Sequence, residues 1–329
     1  MYYEISFPHL GLSFDPSRVA FSLFGKPVYW YGVIIALGFV LAVLYCCRRA
    51  PDFGITTDQV IDMLIAAVPT AIICARAYYC IFNWEAYRDN PVSCLYIWNG
   101  GLAIYGGVIG GFAAAAVFCR VKKLSPAAML DLGGFGFPIG QAIGRWGNFF
   151  NREAFGVIRA GSDPFFKMGL ADASGAVTYV HPTFLYESVW NAAGFLILHF
   201  VSRRRKFDGQ ILLLYLAWYG LGRGMIEGLR ADSLYLGNLR VSQLLAFASC
   251  LVAAALLFYH LVLRDHEPEE LFVNRVRQAG AVTAKDDEAS AEDETPAASD
   301  ADELEAEEPP AKKPSTEPSA KESDREGEA

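Results

Sequence analysis

Residues 144 to 156 read Gly-Arg-Trp-Gly-Asn-Phe-Phe-Asn-Arg-Glu-Ala-Phe-Gly, which sets Arg145, Asn148, Asn151, Arg152 and Glu153 at the end of an apolar stretch. Charges and amides in such a setting need partners or a ligand, because a polar group left unpaired away from water is costly. A second cluster, Tyr219, Arg223 and Glu227, has spacing i, i+4, i+8 and falls on one helix face with about 40° of drift per step. Arg76, Tyr31, Tyr105, His181, Tyr186 and Glu187 add polar groups near the ends of other apolar stretches. Two or three guanidiniums with amide side chains suit a phosphate, since the planar donor fork matches phosphate oxygens and keeps its charge in apolar surroundings. Glu153, Glu227 and a tyrosine would balance and orient that charge. Taken singly, each residue also has a structural reading. Arg223 with Glu227 is a common helical ion pair, Arg145 and Arg152 could snorkel, and His181 before Pro182 suits a helix start. Tyr31 and Tyr186 could be packing aromatics and Arg76 an internal charge. What favours a site is that all of them gather at one level of the chain's architecture.

That level follows from the elements that carry the residues. Hydrophobic residues make up 53% of the chain and its mean hydropathy is +0.25, but two different materials are averaged here. Residues 265–329 hold 21 Asp and Glu against 7 Lys and Arg, so residues 1–264, with 15 and 21, carry a net charge of +6. Seven stretches are long enough to cross a bilayer as helices, at about 29–47, 59–83, 100–119, 126–144, 184–201, 210–229 and 240–263. Arg48 and Arg49, then Arg120, Lys122 and Lys123, then Arg203 to Lys206, then Arg264 follow the odd-numbered spans, which by the enrichment of Lys and Arg in cytoplasmic loops end inside. The expectation is an all-α integral membrane protein of seven transmembrane helices, N-terminus outside and C-terminus cytoplasmic. Residues 1–28 form an outer arm, 29–264 the membrane domain with a small extracytoplasmic cap over 145–183, and 265–329 a disordered acidic cytoplasmic tail. On this layout the polar residues meet at the outer-leaflet headgroup level, where a phospholipid is the natural occupant. The seven cysteines form no CxxC metal pattern and read as packing residues, Met1 to Val19 lacks the features of a cleaved signal, and no phosphate loop, metal site, cofactor or nucleic-acid partner is expected.

The run from Gly144 to Gly156 closely resembles the GRxGNFxNxExxG signature of the phosphatidylglycerol:prolipoprotein diacylglyceryl transferases. Trp30-Tyr31-Gly32, Gly100 to Gly107, His181 to Glu187, and Tyr219 to Arg223 through Glu227 are similar to further family segments, so that the resemblance covers about residues 20–263. It implies a bacterial plasma-membrane enzyme that moves the diacylglyceryl group of phosphatidylglycerol onto the lipobox cysteine of a prolipoprotein, making a thioether and releasing glycerol phosphate. Its partners would be membrane lipid and signal peptides. By position, Arg145 matches the signature arginine associated with phosphatidylglycerol binding, and Asn148, Asn151, Glu153 and Gly156 match its companions. Arg223, Glu227 and Tyr219 match the second polar cluster, with Arg223 the candidate for phosphate stabilisation beside Arg145, and Tyr31 matches a tyrosine important in the family.

Two positions depart from the family pattern. Tyr29 stands where an arginine often precedes Trp-Tyr-Gly. Tyr105 stands where some members carry a histidine proposed as the base that activates the thiol; with an unperturbed pKa near 10, tyrosine needs adjacent arginines to serve as one. Tyr105 as donor or phenolate, His181, Glu153 and Glu227 are the open choices. Among other function classes, a phospholipid or anion transporter would use the same arginines but usually places its site at the midplane between two related halves, and no repeat is evident here. A membrane scaffold would need the charges for stability alone.

Overall fold

A computed structural model of the chain describes residues 2–158, 161–230, 235–236 and 239–281. Among the described residues are seven long helices: α1 (Trp30–Arg49), α2 (Thr57–Phe82), α3 (Ile104–Val121), α4 (Pro126–Asn151), α5 (Thr183–Val201), α6 (Gln210–Glu227) and α7 (Val241–Phe258). Their starts are chemically marked. The Thr56 hydroxyl accepts from Gln59 N–H while the Gln59 side chain accepts from Thr56 N–H, and Ser125 accepts from Ala128 N–H with Pro126 at the first helical position.

Five of these regions, α1, α2, α3, α5 and α7, are long and apolar enough to cross a membrane. The exceptions, α4 and α6, are diluted by glycine and by Asp131, Gln141, Arg145, Arg223 and Glu227. The packing accounts for this. Helix α4 lies against α1, α5 and α6, whereas α2 pairs chiefly with α3 and α6 with α7. Outward faces elsewhere carry bare aliphatics such as Ile65, Ile73 and Leu251, while α4 is covered by protein and so tolerates polar residues that lipid would not.

The structure corrects the all-α expectation. The arm contains β1 (Tyr2–Phe7), β2 (Leu12–Phe14) and a hairpin of β3 (Val19–Leu23) with β4 (Lys26–Tyr29). Further on come β5 (Gly156–Val157), β6 (Met168–Asp172), β7 (Val177–His181) and a small hairpin, β8 (Tyr235–Leu236) with β9 (Leu239–Arg240). Five strands form one antiparallel sheet in the order β2-β1-β6-β7-β5, with Ile5 opposite Leu170. Ile5 and Phe7 alternate inward onto Met168, Leu170, Val180 and Phe184, a period-two pattern that makes the 1–28 arm and the 145–183 cap one body. A larger core at the opposite end of the bundle joins Phe53, Leu132, Phe135, Leu198 and Ile211. Residues 265–281, expected to be the start of a disordered tail, are ordered: a helix spans 272–281, Phe272 N–H donates to Asp208 Oδ2 at 2.9 Å, and Val273 is buried. The rest of the expected tail, from 282 on, lies outside the described residues.

Candidate active site

The site sits between the two cores. Along α4, Phe135 belongs to the large core and Phe149 packs on the sheet core; the 14 helical steps from one to the other span about 21 Å, and Arg145 falls in that interval. The first half of the signature is helical rather than a turn, so Arg145 and Asn148 are i, i+3 neighbours on one face. Gly147 lies inside the helix, where a Cβ would come within 2.7 Å of the Tyr31 ring; its bare backbone seats Tyr31 of α1 against α4. The chain turns only at Arg152 and Ala154, both with φ of 56°.

Glu187, near the start of α5 and 3% exposed, is the hub. Arg145 Nη2 lies 2.5 Å from its Oε2, Arg223 Nη1 reaches Oε1 and Oε2 at 3.2 and 3.3 Å, and Arg230 Nη1 reaches Oε1 at 3.3 Å. Arg223 Nη2 also pairs with Glu227 at 2.7 Å, and Arg230 Nε lies 3.9 Å from the same carboxylate. Arg240, at the end of β9, donates to the Glu227 carbonyl oxygen. Three guanidiniums therefore share two nearly inaccessible carboxylates. This concentration of guanidinium donors around Glu187 suits an anion.

A second line of contacts leads away from Arg145 toward the sheet. Arg145 Nη1 donates to Asn148 Oδ1 at 3.3 Å, and the amides of Asn148 and Asn151 both donate to Glu153 Oε1 at 3.1 Å. Glu153, Asn151, Tyr31, Tyr29, Gly32, Val28 and Arg18 line a cavity of about 560 Å³. Gly156 has a different part. A Cβ there would come within 2.8 Å of the Leu229 carbonyl oxygen, and its backbone bridges to Arg230 while Val157 N–H donates to Leu229 O at 2.8 Å. This close approach fixes the segment that carries Arg230. On its other side Gly156 pairs with His181, whose Nδ1 is 3.3 Å from the Tyr186 hydroxyl. Burial holds the His181 imidazole below its ordinary pKa of 6.5, so it is neutral at pH 7.

Comparison with known sequences decides the relationship. Residues 18–259 match the family model described as Prolipoprotein diacylglyceryl transferase. The chain belongs to the prolipoprotein diacylglyceryl transferase family. A protein of Enterococcus faecalis named phosphatidylglycerol–prolipoprotein diacylglyceryl transferase is 42% identical over 276 residues, covering 81% of this chain and 97% of the relative. Proteins of the same name from Clostridioides difficile and Bacillus licheniformis are 43% and 42% identical, over 70% and 73% of this chain and 89% and 91% of theirs.

Within this family frame, the structure brings Arg145, Asn148, Asn151, Glu153, Arg223 and Glu227 together and sets Tyr31 at the cavity's edge. Tyr219 instead packs toward the large core, stacked on Tyr215 at 5.7 Å. Tyr105 is 44% exposed on α3, whose chief partner is α2, and among the described residues it makes no hydrogen bond or ion pair. Arg76 is also absent from the cluster; its guanidinium is spent on backbone carbonyls of residues 93–101. Arg152, read as snorkelling or solvated, is buried and holds the arm through Asp15 at 3.2 Å and the Pro16 carbonyl at 2.7 Å.

Three contributors were missed or undervalued in the sequence. Glu187 was seen as a marker of the span's start, although an acid inside an apolar stretch is itself a signal of nearby cations. Arg230 follows Glu227 by three residues, a spacing that predicts their contact. Arg18 carries no local signal at all, because its place depends on how β3 pairs with β4.

Proposed function

We propose that this chain transfers the diacylglyceryl group of phosphatidylglycerol to the lipobox cysteine of prolipoproteins, forming a thioether and releasing glycerol phosphate, the first step of lipoprotein maturation. The observation that carries the reading is the trio of arginines gathered on Glu187, on residues of a chain that belongs to this family. All seven helices cross the plasma membrane, α4 and α6 shielded from lipid by their neighbours, with the sheet and the site at the outer leaflet and residues 265–281 at the cytoplasmic face.

In this mechanism the phosphodiester of phosphatidylglycerol binds at Arg145 and Arg223. Each guanidinium has five N–H donors, and those not used on Glu187, Glu227 or Asn148 face the anion. Glu187 aligns the arginines before substrate arrives, so no reorganisation is needed when charge develops on the departing phosphate. The peptide thiol, of ordinary pKa about 8.5, must lose its proton. His181 is the base: neutral at pH 7, hydrogen-bonded to Tyr186, and one strand pairing from Gly156 and thus near Arg230. The thiolate attacks the diacylglyceryl carbon, the carbon–oxygen bond breaks, and the oxygen leaves with the phosphate.

The test is transfer by purified protein from labelled phosphatidylglycerol to a lipobox peptide, with Cys and with Ser at the acceptor position. Label on the Cys peptide alone is the expected result. A folded protein that leaves the Cys peptide unlabelled, or that moves phospholipid across a vesicle bilayer instead, sinks the reading in favour of a transporter.

A further inference from the structure

Arg18 is the one cationic residue that lines the 560 Å³ cavity, and the proposed mechanism does not use it. It immediately precedes β3, and its carbonyl accepts from Trp30 N–H at 3.0 Å, so that it lies at the end of the hairpin beside Tyr29, with Val19 and Tyr29 registered as a pair. Arg18 Nη2 donates to the Asn151 carbonyl oxygen at 2.8 Å. Its Nε is buried and has no hydrogen-bond partner among the described residues, and no carboxylate there pairs with it.

The cavity's other polar groups are of a different kind. Glu153 has one oxygen committed to the Asn148 and Asn151 amides and the other without a partner among the described residues, and the Tyr31 hydroxyl is likewise unengaged there. A cation beside a carboxylate and a hydroxyl suits a ligand that carries an anion and alcohols together. Position narrows it further. Asn151 lies six residues beyond Arg145 on α4, about 9 Å toward the sheet and away from the helices that face lipid. A phospholipid whose phosphate sits at Arg145 and whose acyl chains run along the bundle directs its headgroup into this cavity.

We propose that the cavity is the departure site for the released polyol phosphate, with Arg18 holding its phosphate and Glu153 and Tyr31 its hydroxyls. The proposal rests on the transfer reaction above. When the sulfur–carbon bond forms and the carbon–oxygen bond breaks, the thiol proton passes to the base and the diester, with one negative charge, becomes a monoester with about 1.5 to 2. The added charge favours a further guanidinium, and Arg18, which has no carboxylate partner among the described residues, supplies it. Arg18 thus acts on the product more than on the intact lipid.

The experiment is inhibition of transfer by added glycerol phosphate, inorganic phosphate and glycerol, using the full-length protein and labelled phosphatidylglycerol. Glycerol phosphate should inhibit the wild type at lower concentration than inorganic phosphate. Arg18→Gln keeps a donor for the Asn151 carbonyl but loses the charge; it should raise the glycerol phosphate inhibition constant about tenfold and KM for phosphatidylglycerol by less than about threefold. Arg18→Lys, which keeps the charge, should stay within about threefold of wild type. An unchanged inhibition constant in a turning-over Arg18→Gln protein overturns the proposal, as does an equal rise in the inhibition constant and KM, or inorganic phosphate as potent as glycerol phosphate. Absence of transfer by the wild type would strike the proposed function instead.

Discussion

Arg76 on α2 and the trio of Arg145 on α4, Arg223 on α6 and Arg230 just beyond the end of α6 present the same group and use it differently. Arg76 Nε donates to the Cys94 carbonyl at 2.7 Å, Nη1 to Gly100 and Gly101 at 2.6 and 2.9 Å, and Nη2 to Ser93 and Tyr96 at 2.9 and 3.4 Å. Five donors meet five carbonyls, and the side chain is only 6% exposed, so none is left for a ligand. Its work is to hold the connection between α2 and α3, a run of short 3-10 turns with little other support. In the trio the partners are the carboxylates of Glu187 on α5 and Glu227 on α6, and the side chains are 10 to 23% exposed. The two uses differ in what accepts from the arginine: neutral carbonyls in sufficient number occupy every donor, while a shared carboxylate holds a guanidinium in place without occupying all five.

The contrast breaks most visibly at Arg145 and Arg223. Replacing either by Ala should lower transfer by about 10³, near 4 kcal/mol of transition-state stabilisation, in protein that inserts and purifies normally. Arg76→Ala should do the reverse, costing about 3 kcal/mol of stability as five carbonyls lose their donor, with the folded fraction still turning over. Thermal unfolding and specific activity, measured on the same preparations, separate the two effects. His181→Gln sharpens the assignment of the base. Because burial lowers the His181 pKa from 6.5, the wild-type rate should hold above that value and decline as pH falls through the lowered one. The variant should be slower by about 10² and lack that acid limb. The smallest effect is expected at Tyr105→Phe, within about twofold of wild type, since its hydroxyl has no partner among the described residues.

Much of this was readable in the residues. The signature run and the Tyr219, Arg223, Glu227 stripe named six of the groups that meet, because i, i+3 and i, i+4 spacing survives directly into a helix face. Five helices were legible from apolar length, α4 and α6 were placed despite their glycines and charges, and the largest boundary error was the end of α4, at 144 instead of Asn151, because its glycines looked like a turn when they serve helix packing. What the sequence did not show was pairing between distant segments. Strand β1 meets β6 across more than 160 residues, and the same long-range closure brings Arg18 to Asn151. Tyr105 stands apart from the cluster for the same reason: helical position along α3 set its depth, but the preference of α3 for α2 set its neighbours. The ordered segment 265–281 was hidden by the acidic composition of the residues around it, although Leu271, Phe272 and Val273 are an apolar patch within it.

The central claim is that Glu187 organises the arginines for a phosphate. Glu187→Gln keeps the size of the side chain and its hydrogen-bonding capacity but removes the charge shared by Arg145, Arg223 and Arg230. Single-turnover transfer from labelled phosphatidylglycerol to a lipobox Cys peptide, at saturating lipid and with thermal stability measured alongside, is the direct test. The account predicts a loss of at least about 10² in rate in protein that stays folded and membrane-inserted. A folded Glu187→Gln protein with the wild-type rate would contradict it.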